Sequence, residues 1–146
     1  MQLSTHTDYS LRTLIVLALK QSGGPVTVQE IARDYDISAN HVAKVAQTLS
    51  QLGYVKSLRG RGGGLVLAKA PATIKIGTLV RETENLRLLE CFGPNSTCAI
   101  DPGCKLKKVL KAAQKAFLAV LDEYTLADIT GNDRELEQLL FRKNTV

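Results

Sequence analysis

The stretch "ISANHVAKVAQTLSQLGYVKSLRGRGGGLVLAK", residues 37–69, decides the fold. Its first half predicts a helix, because Ser38 can cap a helix N-terminus and Gly53 is a natural stop. Apolar residues recur between them at helical spacing and predict the inward face: Val42, Val45, Ala46, Leu49 and Leu52. The second half holds two β-prone runs on either side of a glycine-rich turn. We therefore expect a helix followed directly by a two-stranded hairpin.

The turn of this hairpin contains four glycines, at positions 60, 62, 63 and 64, spaced by Arg59 and Arg61. Glycine tolerates the positive φ angles that a tight hairpin needs. A glycine-rich loop can also hold a phosphate, but this one leads into a strand and has neither Walker nor Rossmann spacing. The pattern favours a wing over a nucleotide site.

Two helices are predicted before this stretch. The first runs from about Ser4 to Lys20, with Leu11, Leu14, Ile15 and Ala18 at helical spacing. The second opens with the capping box "TVQE" at Thr27–Glu30 and closes near Tyr35. The second and third helices, joined by a tight turn, form a helix-turn-helix candidate, and the hairpin completes a winged module that binds DNA.

The chain after Pro71 predicts further helices at about 77–85 and 105–124, a capped turn at 125–128, and a final helix that Asp133 caps and that runs through Phe141. An apolar stripe follows the long helix: Leu106, Val109, Leu110, Ala113, Phe117, Val120, Leu121 and Tyr124. Such a stripe more often packs inside one chain. We expect a homodimer here, because the N-terminal lobe is too small to cover it.

The predicted fold is mainly α with a small β wing. It divides into a winged helix-turn-helix at 1–70, a connecting helix and cysteine loop at 71–104, and a dimerisation helix with a C-terminal helix at 105–146. With 146 residues, of which 45% are hydrophobic, the chain can bury one real core. The longest apolar run, Leu14–Leu19, is far too short for a bilayer, and the N-terminus lacks a signal-peptide pattern. We expect a cytoplasmic protein without membrane contact.

The net charge of +5 is unevenly distributed. No acidic residue lies between Asp36 and Glu82, a stretch that holds seven lysines and arginines. Such a segment suits a polyanion, although a solvated basic face explains the charge equally well. The order of the elements favours double-stranded DNA.

The second helix of a helix-turn-helix reads base edges in the major groove with its outward, N-terminal residues. Asn and Gln can pair with adenine and Lys with guanine, so the candidate DNA-binding residues are Ser38, Asn40, His41, Lys44 and Gln47. Arg59 and Arg61 at the wing tip suit phosphate or minor-groove contact. The alternative for each residue is an ordinary exposed position. A dimer would read a near-palindromic operator.

All three cysteines lie in "CFGPNSTCAIDPGC", with six residues between Cys91 and Cys98 and five between Cys98 and Cys104. Thiols stay reduced in the cytoplasm, so an odd count favours a metal, a cluster or a redox role. The absence of a Cys-x-x-Cys pair weakens a zinc site. Thiolates along a loop can hold an iron-sulfur cluster, and three of them leave one position open. From the residues alone, the fourth ligand can be His6, Asp8, Glu90 or Asp101.

The sequence resembles the Rrf-two family of bacterial winged-helix regulators, and within it the repressors that sense nitric oxide. The resemblance rests on residues 37–69, the cysteine loop and three further stretches: "MQLSTHTDYSLR" at 1–12, "IKIGTLVRETE" at 74–84 and "FLAVLDEYTLADI" at 117–129. It implies a homodimeric repressor whose cluster, [4Fe–4S] or alternatively [2Fe–2S], holds the protein on its operator until nitric oxide attacks the irons.

The resemblance also implies a ligand set. It matches the three cysteine ligands to Cys91, Cys98 and Cys104, and the fourth ligand to Asp8 of the opposite subunit. In the relative that controls cluster assembly, a histidine three residues after the last cysteine completes the site. This chain has Lys107 there, which argues against that role.

Other interpretations stay open. The chain could be an iron-sulfur or redox regulator of another signal, such as cluster assembly or iron supply, a zinc or thiol regulator, or an electron-transfer protein whose basic face meets a protein partner. An enzyme is disfavoured, because the two histidines have no evident nucleophile to pair with.

Overall fold

The computed structural model describes residues 1–142 and contains seven α-helices and one two-stranded antiparallel sheet within them. In chain order these are α1 Thr5–Leu19, α2 Val28–Tyr35, α3 Ala39–Gln51, β1 Val55–Leu58, β2 Gly64–Leu67, α4 Ile76–Thr83, α5 Lys105–Asp122, α6 Leu126–Ile129 and α7 Asp133–Phe141. The mainly helical fold with a β wing is confirmed. The last four residues of the predicted region 105–146 lie outside the described part of the chain.

Side chains cap the three helices of the N-terminal module. The Ser4 hydroxyl accepts from the backbone N–H of Thr7, and Ser38 accepts from that of His41. The predicted capping box is present: the Thr27 hydroxyl accepts from the Glu30 N–H at 3.1 Å, and the Glu30 carboxylate accepts from the Thr27 N–H at 2.7 Å. That backbone hydrogen bond lowers the pKa of Glu30.

The wing forms as its glycines predict. Val55 pairs with Leu67 and Leu58 with Gly64, and the turn between the strands places Gly60 and Gly62 at φ angles of 94° and 78°. L-residues with side chains rarely adopt such angles. The wing joins the helical core where Val26 and Leu65 exchange two backbone hydrogen bonds, of 3.0 and 2.7 Å.

The core lies between α1, α2, α3 and the wing. The predicted inward face of α3 is confirmed at four positions, which are buried, whereas Leu52 is only half-buried. This core also takes in Ile74, Leu79 and Leu126, so α4 and α6 pack against the same hydrophobic cluster.

The helices α4 and α5 approach closely at Gly77. A Cβ at this position would lie 1.9 Å from the Asp122 carboxylate, which Arg81 holds with two hydrogen bonds of 2.5 and 2.9 Å. Leu118 of α5 also packs with Ile76 and Val80 of α4 in a second, smaller hydrophobic cluster.

The apolar residues of α5 lie on two faces. The predicted stripe is partly covered, since Leu110, Phe117 and Leu121 are half-buried, while Leu106 and Val109 remain 59% and 62% exposed. None of the helices within residues 1–142 has the length and apolarity that crossing a bilayer requires.

The start of α7 differs in detail from the expectation. Asp133 is the first helical residue rather than the cap, and Asn132 stands at the cap position without a capping hydrogen bond. The reason is local: the Asn132 amide donates to Glu135, and the Asp133 carboxylate accepts from the backbone N–H of Arg134.

Candidate functional site

The outward face of α3 carries the predicted base-reading residues. Asn40, His41, Lys44 and Gln47 are all exposed on the side of the helix away from the core. Ser38 is exposed too, but its hydroxyl is engaged as the helix cap. This face therefore presents amide, imidazole and ammonium groups together, which suits hydrogen bonding to base edges.

The wing tip is exposed and positively charged. Neither Arg59 nor Arg61 has an ion-pair or hydrogen-bond partner among residues 1–142, and both side chains are exposed. The glycines around them keep the tip narrow and free of bulk. Two unpaired guanidinium groups on such a tip suit contact with a phosphate backbone.

A chain of contacts runs from α1 to α3, the helix predicted to read bases. The Arg12 guanidinium donates two hydrogen bonds, of 3.0 and 2.9 Å, to the Asp8 carboxylate. It also lies 5.4 Å from the ring centroids of Tyr9 and Tyr35, and the Tyr9 ring lies 5.9 Å from that of His41. The i, i+4 spacing of Asp8 and Arg12 is the sequence signal for this ion pair. The Tyr9–His41 and Arg12–Tyr35 contacts join different helices and have no such local signal.

A second contact ties the end of α3 and the wing to α4. The Tyr54 hydroxyl donates a 2.5 Å hydrogen bond to the Glu82 carboxylate, and the Lys69 ammonium lies 4.6 Å from the centroid of the Tyr54 ring. Burial, and then the hydrogen bond to Glu82, raises the pKa of Tyr54. The two residues are 28 positions apart, so local sequence patterns cannot reveal the pair.

The cysteine loop connects α4 to α5. Cys91 lies in a short 3-10 turn, Cys98 is exposed, and Cys104 is at the N-cap of α5, where its Sγ accepts from the backbone N–H of Lys107 at 3.4 Å. All three thiols are free of disulfides. The Gln114 side-chain amide donates to the carbonyl of Leu86 and anchors the start of the loop to α5.

Three of the four candidates for a fourth ligand have a side-chain partner, and the partners differ. The Glu90 carboxylate accepts from the Thr97 hydroxyl at 2.9 Å, the Asp101 carboxylate pairs with Lys107 at 2.6 Å, and Asp8 pairs with Arg12. Within the part of the chain that the structure describes, no three His, Cys, Asp or Glu side chains lie close enough together to hold a metal ion. One chain does not assemble the expected ligand set.

The donor set itself nevertheless fits an iron-sulfur cluster. Three thiols outside any disulfide, none of them fully buried, lie on one loop that is anchored to helices at both ends. Thiolate is the ordinary ligand of such clusters. A fourth donor from another molecule would complete the site.

The fold, the outward face of α3 and the basic wing tip define the class of protein. It is a winged-helix DNA-binding regulator of transcription with a three-cysteine loop. Residues 3–132 match the Rrf2 (Rrf-two) family, described as an iron-dependent transcriptional regulator. The chain belongs to that family and is a DNA-binding transcriptional repressor rather than an enzyme. The family description supports iron as its cofactor.

Similar proteins cover almost the whole chain. The HTH-type transcriptional regulator NsrR of Halalkalibacterium halodurans is 48% identical over 142 residues, 96% of this chain and 97% of that protein. NsrR of Bacillus subtilis (strain 168) is 48% identical over 145 residues, 98% and 99% of the two chains.

Two solved structures share the fold. IscR of T. potens has a TM-score of 0.72 and 29% identity, with 90% of this chain and 88% of that one covered. CymR, the global cysteine regulator of B. subtilis, also has a TM-score of 0.72, with 28% identity and 90% and 98% covered.

Proposed function

We propose that this protein is a homodimeric repressor that senses nitric oxide through an iron-sulfur cluster and acts on a near-palindromic operator in the cytoplasm. Region 1–70 binds DNA, region 71–104 holds the cluster, and region 105–146 forms the dimer. The relatives named NsrR support this function, since they match the chain from end to end at about half identity. Loss of DNA affinity after exposure to nitric oxide would then release genes that detoxify it.

Cys91, Cys98 and Cys104 would hold the cluster, which we assign as [4Fe–4S], with [2Fe–2S] as the alternative. When bound, the cluster supplies irons that react with nitric oxide. The chain contributes three thiolates from one loop, and its two helical anchors set their approach. The exposed position of Cys98 gives a small signal molecule access to the site.

Asp8 of the opposite subunit is our proposal for the fourth ligand. Its side chain is 44% exposed, and Arg12 fixes the orientation of its carboxylate with two hydrogen bonds. Ligating carboxylates commonly have such outer partners. Carboxylate oxygen is also a harder ligand for iron than thiolate, so the iron it holds should be the most easily displaced.

The exposed part of the α5 stripe supports the dimer. Leu106, Val109 and Val120 are each at least 55% exposed and lie along one side of α5, roughly opposite Leu118, and Tyr124, just beyond the end of the helix, is 45% exposed. Apolar residues concentrated in this way commonly mark an interface. A second copy of α5 would cover them.

The observation that carries the proposal is the contact chain from Asp8 through Arg12 and Tyr9 to His41. Through three successive contacts it joins the proposed ligand to α3, the helix predicted to read DNA. A displacement of the Asp8 carboxylate would be passed through Arg12 and the Tyr9 ring to α3. An intact cluster would thereby favour one arrangement of the two DNA-binding modules in the dimer, and a damaged cluster would favour another.

Mixed dimers test whether Asp8 acts across the interface. Neither an Asp8→Ala homodimer nor a Cys91→Ser homodimer contains a complete ligand set. A heterodimer of the two contains one complete site if Asp8 comes from the partner, and none if it comes from the same chain. We expect co-expressed, affinity-selected heterodimers to bind half the wild-type cluster, measured anaerobically by iron and sulfide content and by visible absorption.

Heterodimers that match the two homodimers in cluster content would refute the ligand role across subunits. An Asp8→Ala homodimer with an unchanged cluster spectrum and nitric-oxide response would return the role to Glu90, Asp101, His6 or solvent. A colourless protein with stoichiometric zinc would favour the zinc regulator. DNA affinity that follows iron supply but not nitric oxide would favour a different signal.

A further inference from the structure

Tyr54 lies where α3, the wing and α4 meet. Its backbone N–H donates to the carbonyl of Leu49 in α3 at 2.9 Å, and its own carbonyl accepts from the backbone N–H of Ala68, just after β2, at 2.9 Å. Its hydroxyl donates to the Glu82 carboxylate of α4 at 2.5 Å. One residue therefore joins the end of α3 and the base of the wing to α4.

The Tyr54 hydroxyl is fixed in place because the ring that carries it is buried. Only 3% of the residue is exposed, and the Lys69 ammonium lies 4.6 Å from the ring centroid. A buried tyrosine hydroxyl needs a hydrogen-bond partner, and Glu82 supplies a charged one. The hydrogen bond therefore resists displacement of the wing base against α4.

The last turn of α4 also contacts α5. Arg81, the neighbour of Glu82, donates two hydrogen bonds to the Asp122 carboxylate. The helix α4 ends at Thr83 and α5 begins at Lys105, so the cysteine loop connects these two helices directly. A change in the loop that moves α4 against α5 therefore acts on the turn that holds the Tyr54 hydroxyl.

This link is separate from the contact chain that starts at Asp8. It lies within one chain, and it ends at the wing rather than at the exposed face of α3. The four residues of β1 span roughly 13 Å between Tyr54 and the wing tip. A small rotation at Tyr54 therefore moves Arg59 and Arg61 much farther than it moves the base of the wing.

We infer that Glu82 is a positioning residue for DNA binding: through the Tyr54 hydroxyl it holds the wing against α4, and it passes the geometry of the cysteine loop to the wing. Glu82 acts through Tyr54 rather than by touching DNA, since phosphates repel a carboxylate. The dependence on the cysteine loop rests on the proposed function, whereas the hold on the wing does not.

Three variants isolate this hydrogen bond. Tyr54→Phe removes only the hydroxyl and keeps the buried ring and both backbone hydrogen bonds. Glu82→Ala removes the acceptor at an exposed position, and it tests the inference if Tyr54→Phe does not fold. Glu82→Gln keeps an acceptor oxygen without the charge. The matched control is Glu137→Ala, because Glu137 is exposed on α7 and has no hydrogen bond or ion pair within residues 1–142.

The hold on the wing is measured by hydrogen exchange on cluster-free protein without DNA. We expect peptides that cover β1 and β2 to exchange severalfold faster in Tyr54→Phe and Glu82→Ala than in wild type, with α1 peptides unchanged. Glu82→Gln should lie between, because its hydrogen bond is neutral and weaker. Glu137→Ala should match wild type. Wild-type exchange in the wing of both variants, or equal acceleration throughout the chain, would overturn the hold on the wing.

The effect on DNA binding is measured as the ratio of operator affinities in the cluster-loaded and cluster-free states. We expect this ratio to fall toward one in Tyr54→Phe and Glu82→Ala, by up to about tenfold, the equilibrium effect of one hydrogen bond to a charged group. The double variant should lose no more than either single variant, because both remove the same bond. A merely structural role would weaken both states equally and leave the ratio unchanged.

The outcomes separate this inference from the proposed function. A wild-type ratio that persists in both single variants, or losses that add in the double variant, would overturn the transmission from the cysteine loop through this bond. A ratio of one in the wild-type protein would instead refute the proposed function. In that case the exchange measurement still decides whether Glu82 holds the wing.

Discussion

Replacing Arg61 with Gln tests whether the wing touches the DNA backbone. The side chain is exposed, and it has no ion-pair partner within residues 1–142, so its removal should leave the fold intact. The turn geometry depends on Gly60 and Gly62, which the substitution does not change. Any loss of binding can then be assigned to the missing charge.

The expected size follows from counterion release. Each phosphate contact on duplex DNA adds about 0.9 to the slope of log K against log salt concentration. A homodimer presents two copies of Arg61, so Arg61→Gln should reduce the magnitude of the slope by about 1.8. The double variant that also replaces Arg59 should reduce it by about 3.6 if all four side chains meet phosphates.

The assay is fluorescence anisotropy of a labelled operator duplex across a series of salt concentrations, with cluster-loaded protein. Lys115→Gln is the matched control, because it removes one exposed positive charge from α5, outside the reading head. Its slope should stay at the wild-type value. An unchanged slope in Arg61→Gln, or an equal loss in both variants, would refute the proposed wing contact.

Four further predictions concern the fold and the exposed face of α3. Leu118→Ala removes the centre of the α4–α5 cluster and should lower the free energy of unfolding by about 2–5 kcal/mol in urea titrations. Thr27→Ala should cost about 1 kcal/mol by the same measurement, because the α2 cap is lost. The pKa of Glu30 is lowered, so its contribution to stability is fully present above the ordinary pKa of 4.5 and is lost as pH falls through the folded pKa; Glu30→Gln should flatten this dependence. Asn40→Ala should reduce discrimination at one base pair per half-site, by about 1–3 kcal/mol in competition binding, without changing the salt slope.

Each of these has a clear contrary result. A Leu118→Ala loss below 1 kcal/mol would mean that the cluster is not a packed core. An unchanged free energy of unfolding in Thr27→Ala would show that the capping box does not stabilise the fold. If the free energy of unfolding of Glu30→Gln falls at acidic pH as it does in wild type, Glu30 does not cause that pH dependence. If Asn40→Ala weakens binding equally on all operator sequences, Asn40 contacts the DNA backbone rather than a base.

Local sequence signals predicted most of the DNA-binding module. The capping box at Thr27–Glu30, the cap at Ser38 and the glycines of the wing all act within a few residues, so their structural consequences can be read directly. The exposed positions proposed for base reading followed from the buried face of α3. These elements needed no knowledge of distant partners.

Contacts between distant segments could not be predicted in this way. The periodicity of α5 indicated an apolar stripe, but it did not reveal that Leu118, outside that stripe, is the buried α5 residue of the cluster with α4, which Phe117 and Leu121 of the stripe only flank. The Tyr54–Glu82 hydrogen bond and the contact of Arg12 with the Tyr35 ring likewise depend on how separate elements meet. The assignment of Asp8 as a ligand rests on family resemblance, because one chain does not assemble the site.

The most direct test of the central claim is the operator affinity of one protein preparation in three states: cluster-loaded, cluster-free, and cluster-loaded after stoichiometric nitric oxide. All three are measured anaerobically by anisotropy at the same salt concentration. We expect tight binding only in the first state, with affinity about 5- to 150-fold lower in the other two, the usual range of allosteric coupling. Equal affinity in all three states would contradict it.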